Sequence, residues 1–241
     1  MSRVLVVGES CKDVFVYCDA MRLAPDVPVP VLNVLGQVEN AGMAMNVLNN
    51  ISMFVDYDII TNENWDSITK TRYVHNATNH MFFRVDAESN YGRFHNNIDY
   101  SKYDAIIISD YNKGFLTEED IQDICESHPR VFVDTKKKLG KFISDAFIVK
   151  INDYEYNNSE PIARLFYSDI IIHTMGAKGC EYRGERFPVT PVEVKDSSGA
   201  GDAFIAALVV KYVETNDIVQ SIEFANKCAS EVVTHRGVTT I

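Results

Sequence analysis

The clearest chemical signal lies in the seven residues from Asp196 to Asp202, which read Asp-Ser-Ser-Gly-Ala-Gly-Asp. Small residues let a ligand approach the backbone, and the amphipathic stretch that follows predicts a helix starting there. Free N–H groups at a helix N-terminus bind anions, including a phosphoryl group in transfer. An acid in the first turn can accept a proton from an attacking hydroxyl group. Taken alone, the segment is equally compatible with a glycine turn and a capping aspartate, and it lacks the Gly-Lys-Ser/Thr of a Walker P-loop.

Short apolar runs alternate with helical segments along the rest of the chain. These runs are rich in β-branched residues and have no polar face, which is typical of strands buried in a parallel sheet. They lie at residues 4–7, 105–108, 131–133, 147–149 and 170–173. Helices are predicted after Thr117 and over residues 200–213 and 218–234. The order predicts an α/β fold with a mostly parallel central sheet flanked by helices.

Four extended segments do not fit this alternation, because no helix separates them. They lie at residues 14–18, 28–35, 70–76 and 81–86. We expect them to form a small, half-exposed lid sheet, with residues 77–79 joining the last two strands in a hairpin. Pro28 and Pro30 suit an edge strand of that sheet. No linker is long enough to separate domains, so we expect one domain over residues 1–241 with the lid strands inserted in it.

Charge and composition limit the possible partners. The 241 residues include 23 basic and 34 acidic side chains, a formal net charge of −11 at pH 7, which opposes binding to nucleic acid. An anionic substrate therefore needs a local group of basic residues. The five cysteines show no metal-binding spacing, and neither a leader-like segment nor an apolar run of membrane-spanning length is visible. We expect a cytoplasmic protein that binds neither nucleic acid nor membranes.

Several motifs together resemble a known family. Asp196–Asp202 resembles the C-terminal signature of the ribokinase-like (PfkB) carbohydrate kinases, and Gly42–Asn46 is similar to their N-terminal glycine motif. Further segments follow the order found in heptose 7-phosphate kinases, the kinase half of the bifunctional heptose enzymes. They are Gly8-Glu9 with Asp13, residues 22–31, 69–72 and 84–86, Ser109–Gly114, Asp134–Lys136 and Asn152–Glu155. The resemblance extends from Val4 to Thr240, and we identify the chain as a shortened member of this family.

The resemblance implies roles for individual residues. Asp202 would be the catalytic base, and the N–H groups of Gly199, Ala200 and Gly201 would form the anion hole for the γ-phosphoryl group of ATP. The residues implied in binding the sugar and its phosphate are Asp13, Gly42, Asn46, Lys70, Arg72, Arg84, Asp110, Lys113 and Lys136. Those implied in binding ATP are Asn152, Glu155, Thr174, Gly176, Gly179, Ser198 and Asn226, with Glu155 near Mg²⁺. Three lysines outside the motifs are expected to face solvent: Lys137, Lys138 and Lys141.

The sequence departs from the family pattern in two respects. Met43 stands where a second glycine is usual, and we expect it to narrow the sugar pocket or to change the preferred substrate. Residues 52–66 are too few for the strand, helix and strand that the family has there, and the stretch from 155 to 169 is also trimmed. We expect the missing parts to be peripheral, because both groups of motif residues remain.

The sequence therefore predicts an ATP- and Mg²⁺-dependent kinase that phosphorylates the anomeric (C1) hydroxyl of a heptose 7-phosphate. We expect it to form a homodimer through the lid sheet. Two alternatives stay open. Met43 and the shortened regions suggest a kinase of the same mechanism that acts on another sugar or sugar phosphate. A catalytically idle relative that binds nucleotide or sugar as a regulatory subunit is the other, although the intact motifs argue against it.

Overall fold

The larger of two sheets carries the core of the protein. The computed structural model describes residues 2–87 and 89–241. The sheet comprises β1 (Arg3–Gly8), β4 (Asp56–Ile60), β7 (Ala105–Asp110), β8 (Val131–Thr135), β9 (Ile148–Asn152), β10 (Ile171–Thr174), β11 (Cys180–Tyr182) and β12 (Glu185–Phe187). Its spatial order is β12-β11-β10-β9-β8-β7-β1-β4, and every pair from β10 to β4 is parallel. The predicted mostly parallel sheet is confirmed, and β4 is the strand retained in the shortened region.

Apolar side chains on both faces of these strands explain why helices cover the sheet on both sides. Successive residues of a strand point to opposite faces, so Val4 and Val6 join one apolar cluster while Leu5 and Val7 join the other. The first cluster includes residues of α1 (Ala44–Ile51), α5 (Ala200–Thr215) and α6 (Ile218–Val232). The second includes residues of α2 (Glu118–Ser127). Two short helices, α3 (Asp153–Asn158) and α4 (Pro161–Phe166), lie between β9 and β10.

The smaller sheet has four strands in the order β3-β2-β5-β6. They are β2 (Ser10–Leu23), β3 (Pro30–Met43), β5 (Thr69–His75) and β6 (Met81–Asp86). The predicted hairpin of β5 and β6 and the edge position of β3 are confirmed. The first two strands are longer than the predicted 14–18 and 28–35, because their antiparallel pairing extends from Ser10 opposite Met43 to Leu23 opposite Pro30.

Chain connections and hydrogen bonds together place the smaller sheet over the carboxyl end of the parallel strands. Strand β2 starts two residues after β1 ends, and β3 leads directly into α1. The hairpin turn is held from the far side by Arg236, whose guanidinium donates to the carbonyls of Asn76 at 2.9 Å and Ala77 at 3.1 Å. Asn79 also donates to the carbonyl of Lys195 at 2.7 Å, just before the Asp196–Asp202 segment. The lid sheet is thus joined both to β1 and to the loop that leads into α5.

All five cysteines are free thiols, and burial raises the pKa of Cys11 to about 12, so this thiol is protonated at neutral pH. Within residues 2–87 and 89–241, no helix has both the length and the apolar character needed to cross a bilayer.

Candidate active site

The N-terminus of α5 forms a small cradle of backbone N–H groups. Gly199 caps the helix in the left-handed conformation, with φ 80°, which a side chain would strain. At Gly201, an added Cβ would lie 2.8 Å from Nζ of Lys150, so a larger residue would displace this ammonium from its place against the first turn. The first N–H groups of a helix lack intrahelical partners, and this end of the helix dipole is positive. The cradle therefore suits an anion, as the sequence predicts.

Asp202 lies in the first turn of α5 and is held by two donors. Asn46 Nδ2 donates to Oδ2 and the Tyr111 hydroxyl donates to Oδ1, each at 2.8 Å. The side chain is buried, and burial raises the pKa of the Asp202 carboxyl above its ordinary value, whereas the two donors act to lower it. The arrangement provides a fixed carboxylate that is more basic than one in water. The glycine motif ending at Asn46 and the signature ending at Asp202 thus meet in one site.

A chain of alternating charges continues from this site. Lys150 Nζ lies 2.7 Å from Oδ2 of Asp134, and Lys136 bridges Oδ1 of Asp134 and the carboxylate of Glu155. Burial acts to raise the pKa of Asp134, but the nearby Lys136 and Lys150 outweigh it and the pKa is lowered. Lys150 is 2% exposed and has no ion-pair partner other than Asp134 within the described residues. Two ammonium groups are therefore held beside the cradle.

A cleft of about 660 Å³ opens from the cradle and is large enough for a nucleotide. The predicted residues that line it are Lys136, Asn152, Thr174, Gly176, Gly179, Gly199, Ala200, Gly201, Asp202 and Asn226. Its apolar side includes Val189, Val192 and Val194. Ser198 lies at the margin, where its N–H donates to Asp196 at 2.9 Å. The structure thus gathers most of the residues that were predicted to bind ATP around one cleft.

Asn152 and Glu155 form a capping box at the start of α3. The Glu155 carboxylate accepts from the backbone N–H of Asn152 at 2.8 Å and from its Nδ2 at 2.9 Å. Among the residues that the structure describes, no group of three or more acidic, histidine or cysteine side chains could form a metal cage. Mg²⁺ usually keeps several waters and shares one or two carboxylates with substrate phosphates. The buried carboxylate of Glu155, which pairs with the cleft residues Asn152 and Lys136, fits such a shared site.

On the lid side, the predicted sugar-binding residues include an ion pair and one lysine that has no ion-pair partner in the described part of the chain. Arg72 forms an ion pair with Asp13, and Gly42 packs so closely on Asp13 that an added Cβ would collide with Oδ2. The Lys70 ammonium lies 2.9 Å from the Met43 sulfur and 5.2 Å from the centroid of the Tyr111 ring. No carboxylate lies within ion-pair distance of it in the described part of the chain. A thioether and an aromatic face leave its charge available to an anion.

Three of the predicted residues lie outside both the cleft and the lid-side group around Asp13 and Lys70. Arg84 forms an exposed ion pair with Asp86 at 2.7 Å, and the Lys113 side chain is exposed. Asp110 is fully buried beneath the loop after β7. Its carboxylate is occupied by hydrogen bonds rather than directed at a sugar, so it has a supporting place in the fold.

The expectation that Lys137 faces solvent is wrong. Its side chain is 9% exposed, and its ammonium lies 2.8 Å and 2.9 Å from the two carboxylate oxygens of Asp110. Lys138 and Lys141 are exposed, as expected. The buried aspartate at the end of β7 needs a cation, and the neighbouring loop after β8 supplies it.

Comparisons with known proteins agree with this geometry. A model of the pfkB family carbohydrate kinases matches residues 20–241. The chain belongs to this family. The predictions of a carbohydrate kinase and of a ribokinase-like fold are thereby confirmed. Among similar proteins are the bifunctional proteins HldE of Helicobacter pylori (strain J99 / ATCC 700824) and of a Nitratiruptor species, both 28% identical to this kinase.

The relatives are longer than this pfkB kinase. It spans 64% of the H. pylori protein and 63% of the Nitratiruptor protein, while 98% and 99% of its own residues are aligned. The H. pylori alignment covers 295 positions, more than the 241 residues of the chain, so the relative has segments that this kinase lacks. This agrees with the shortening expected from the motifs.

Solved structures show the same fold at low sequence identity. Ribokinase from Thermotoga maritima has a TM-score of 0.71 at 16% identity, covering 99% of this chain and 95% of that one. Arabidopsis thaliana ribokinase complexed with ribose and ATP has a TM-score of 0.71 at 13% identity, covering 99% of this chain and 95% of that one. Phosphofructokinase-2 from Escherichia coli in complex with potassium has a TM-score of 0.71 at 14% identity, covering 100% of this chain and 96% of that one.

Three residues of this kinase's site were not assigned roles from the sequence. Tyr111 lies inside the Ser109–Gly114 motif and Asp134 inside the Asp134–Lys136 motif, but neither motif shows which side chain points to the cleft. Lys150 had a recognisable signal, because a lysine in an otherwise apolar strand must have a buried partner.

Replacing Lys137 tests the buried ion pair with Asp110. We expect Lys137→Met to lower the free energy of unfolding by about 3–5 kcal/mol, because it leaves a buried carboxylate without its cation. Urea unfolding followed by circular dichroism measures the change. The matched variant Lys138→Met, at the exposed neighbour, should stay within about 0.5 kcal/mol of the wild type. Equal losses in the two variants would contradict the assignment.

Proposed function

We propose that the protein transfers the γ-phosphoryl group of ATP to the anomeric (C1) hydroxyl of a heptose 7-phosphate. The observation that carries the proposal is the position of Asp202, which is buried, held by two donors and located in the turn that presents the backbone N–H cradle. Phosphoryl transfer needs both a base and a group of N–H donors. The attacking hydroxyl must lose a proton, and the negative charge that spreads over the phosphoryl oxygens must be stabilised.

In the proposed reaction, the sugar hydroxyl donates its proton to Asp202 and its oxygen forms the new bond to the γ-phosphorus. The bond from that phosphorus to the leaving oxygen breaks and releases ADP. The N–H groups of Gly199, Ala200 and Gly201 stabilise the negative charge on the transferred group. Lys150, held against Gly201, adds a positive charge on the same side. Positioning and electrostatic stabilisation then supply most of the catalysis.

ATP is proposed to lie in the cleft along Thr174, Gly176, Gly179 and Asn226, with its phosphates toward the cradle. Asn152 lines the same cleft and pairs with Glu155, so these two residues would hold Mg²⁺ through water. Bound Mg²⁺ supplies neutralisation of phosphate charge during the transfer. Lys136, which pairs with Glu155 in this structure, is placed to contact the same phosphates.

The proposal of a phosphorylated acceptor rests on Lys70. In a protein of net charge −11, its ammonium faces the site without a carboxylate partner among the described residues. An available cation of this kind suits an anionic group on the substrate. Heptose 7-phosphate in particular is inferred from the order of the motifs, which resembles that of the heptose 7-phosphate kinases, and from the similarity of the chain to relatives named HldE.

An acceptor panel tests the reaction. Purified protein with ATP and Mg²⁺ should release ADP with heptose 7-phosphate at a higher kcat/KM than with pentose, hexose or other phosphorylated sugars, and chelation of the metal should abolish turnover. Asp202→Asn should reduce kcat by about 100- to 10,000-fold, the usual contribution of a general base. A higher kcat/KM for another sugar would replace the heptose assignment. Sugar or nucleotide binding without turnover above the Asp202→Asn level would identify a catalytically idle protein.

The variant Lys70→Met refines the same test. It should lower kcat/KM for the phosphorylated acceptor about 10- to 100-fold, as expected for the loss of one or two charge-assisted hydrogen bonds. Turnover of the corresponding sugar without phosphate should change much less. Lys138→Met is the matched control, because that side chain is exposed and lies outside the motifs. Equal effects on both acceptors would show that Lys70 does not contact the substrate phosphate.

We further propose that residues 1–241 act as one kinase domain that pairs with a second copy through the lid sheet. Its two edge strands expose large apolar side chains, including Val34 (61%) and Leu35 (55%) on β3 and Phe83 (46%) and Val85 (49%) on β6. Exposed apolar edge strands favour association with a further strand or sheet. A second copy of the chain presents the same surface and can cover both edge strands.

Light scattering after size exclusion tests this pairing. The wild type should elute with the mass of two chains, and the double variant Val34→Asp with Phe83→Asp should elute as one chain. Leu165→Asp is the control, because Leu165 is 73% exposed on α4, away from the lid. A monomeric wild type, or a double variant that remains dimeric, would contradict the proposal.

A further inference from the structure

Tyr111 occupies the centre of the site but was assigned no role by the motifs. Its hydroxyl donates to Oδ1 of Asp202 at 2.8 Å and has no other hydrogen-bond partner in the described part of the chain. Its ring lies close to two ammonium groups, with the centroid 5.2 Å from Nζ of Lys70 and 5.4 Å from Nζ of Lys136. Both distances are within the range of cation–π attraction. One side chain therefore contacts the proposed base and two lysines.

The backbone of the loop after β7 fixes the direction of this side chain. Glu9, which is fully buried at the end of β1, accepts from the backbone N–H of Tyr111 at 2.9 Å and of Lys113 at 2.8 Å. The tyrosine is thus anchored independently of Asp202. A contact between two separately anchored side chains restricts both of them, because neither can turn without breaking it.

The two donors on Asp202 act on different oxygens. Asn46 holds Oδ2 and Tyr111 holds Oδ1, so rotation of the carboxylate about its Cβ–Cγ bond would break at least one hydrogen bond. Each carboxylate oxygen can accept more than one hydrogen bond, so the bound carboxylate can still accept from a sugar hydroxyl. Burial raises the pKa of the Tyr111 phenol well above its ordinary value, and the group remains a neutral donor at the pH of the reaction.

We propose that Tyr111 is a positioning residue for the base Asp202. The tyrosine hydroxyl fixes the plane of the Asp202 carboxylate, and the tyrosine ring offers an aromatic face to Lys70 of the lid and to Lys136 of the cleft. The proposal rests on the proposed function, since it treats Asp202 as the base of phosphoryl transfer. It predicts two separable effects, one of the hydroxyl on the ionisation of Asp202 and one of the ring on the binding of the phosphorylated acceptor.

Tyr111→Phe removes the hydroxyl and keeps the ring. The carboxylate then loses a donor that lowers its pKa, so Asp202 should hold its proton to higher pH. The acid limb of the pH profile of kcat should move to higher pH, with a loss of about tenfold in kcat at the optimum and little change in KM for the acceptor. Incorporation of 3-fluorotyrosine at position 111 supplies a stronger donor and should move the acid limb in the opposite direction.

Tyr111→Leu removes the ring as well. It should raise KM for the phosphorylated acceptor in addition to the changes seen with Tyr111→Phe, because the Lys70 ammonium loses the aromatic face that it contacts. Tyr100→Phe is the matched control. That tyrosine is buried and donates to Asn96 at 2.9 Å, so the variant loses a comparable hydrogen bond remote from Asp202.

A titration that does not depend on turnover separates this proposal from the proposed function. The ¹³Cγ resonance of Asp202, identified by its disappearance in Asp202→Asn, should titrate at higher pH in Tyr111→Phe than in the wild type and in Tyr100→Phe. An unchanged midpoint in Tyr111→Phe, or the same change in Tyr100→Phe, overturns the proposal even if the protein is an active kinase. The expected midpoint change in a protein that phosphorylates no sugar would support the contact while refuting the proposed function.

Discussion

Two hydrogen bonds to one buried carboxylate connect three distant parts of the chain. Asn46 from α1 and Tyr111 from the loop after β7 both donate to Asp202 in α5, across sequence separations of 156 and 91 residues. A buried carboxylate without donors would be costly, so the packing of these three elements and the ionisation of Asp202 depend on each other. The parallel sheet makes the meeting possible, because the carboxyl ends of its strands and the helix N-termini that follow lie at one edge.

Charge pairing explains how an acidic protein can form a site for anions. The cations close to the cleft are paired with carboxylates, the buried Lys150 with Asp134 and the half-buried Lys136 with Asp134 and Glu155. Burial acts to lower the pKa of Lys136, but these two carboxylates outweigh it and the pKa is raised. Lys70 is the contrasting case, since it faces a sulfur and an aromatic ring. The site therefore combines cations that are held by the fold with one that is left for a substrate.

Much of this could be predicted from the sequence because the strongest constraints are local. Apolar runs identified the buried strands, and Gly199 and Gly201 marked the cradle, since a side chain there would be strained or would collide with Lys150. The position of Lys137 and the contact of Tyr111 with Asp202 could not be predicted in the same way. Both depend on which loops become neighbours after parallel strands pair, and nothing in the adjacent residues records that pairing.

Met43 is a residue at which this chain departs from the family's glycine motif. A methionine at a position where glycine is usual has φ 62°, and its sulfur contacts Lys70. Such a backbone conformation costs a non-glycine residue about 1–3 kcal/mol, so the surrounding packing must hold it in place. The side chain is 3% exposed and belongs to an apolar cluster beneath the lid. The residue in place of the usual glycine therefore fills space beneath the lid and contacts the Lys70 ammonium.

The central claim is that Asp202 acts in the chemical step and not in binding. Rapid-quench measurement of a single turnover, with enzyme in excess over labelled ATP and acceptor saturating, tests it most directly. We predict that Asp202→Asn binds ATP and acceptor with nearly wild-type affinity by calorimetry, but transfers the phosphoryl group about 100- to 10,000-fold more slowly. An unchanged transfer rate, or a loss explained entirely by weaker binding, would contradict the claim.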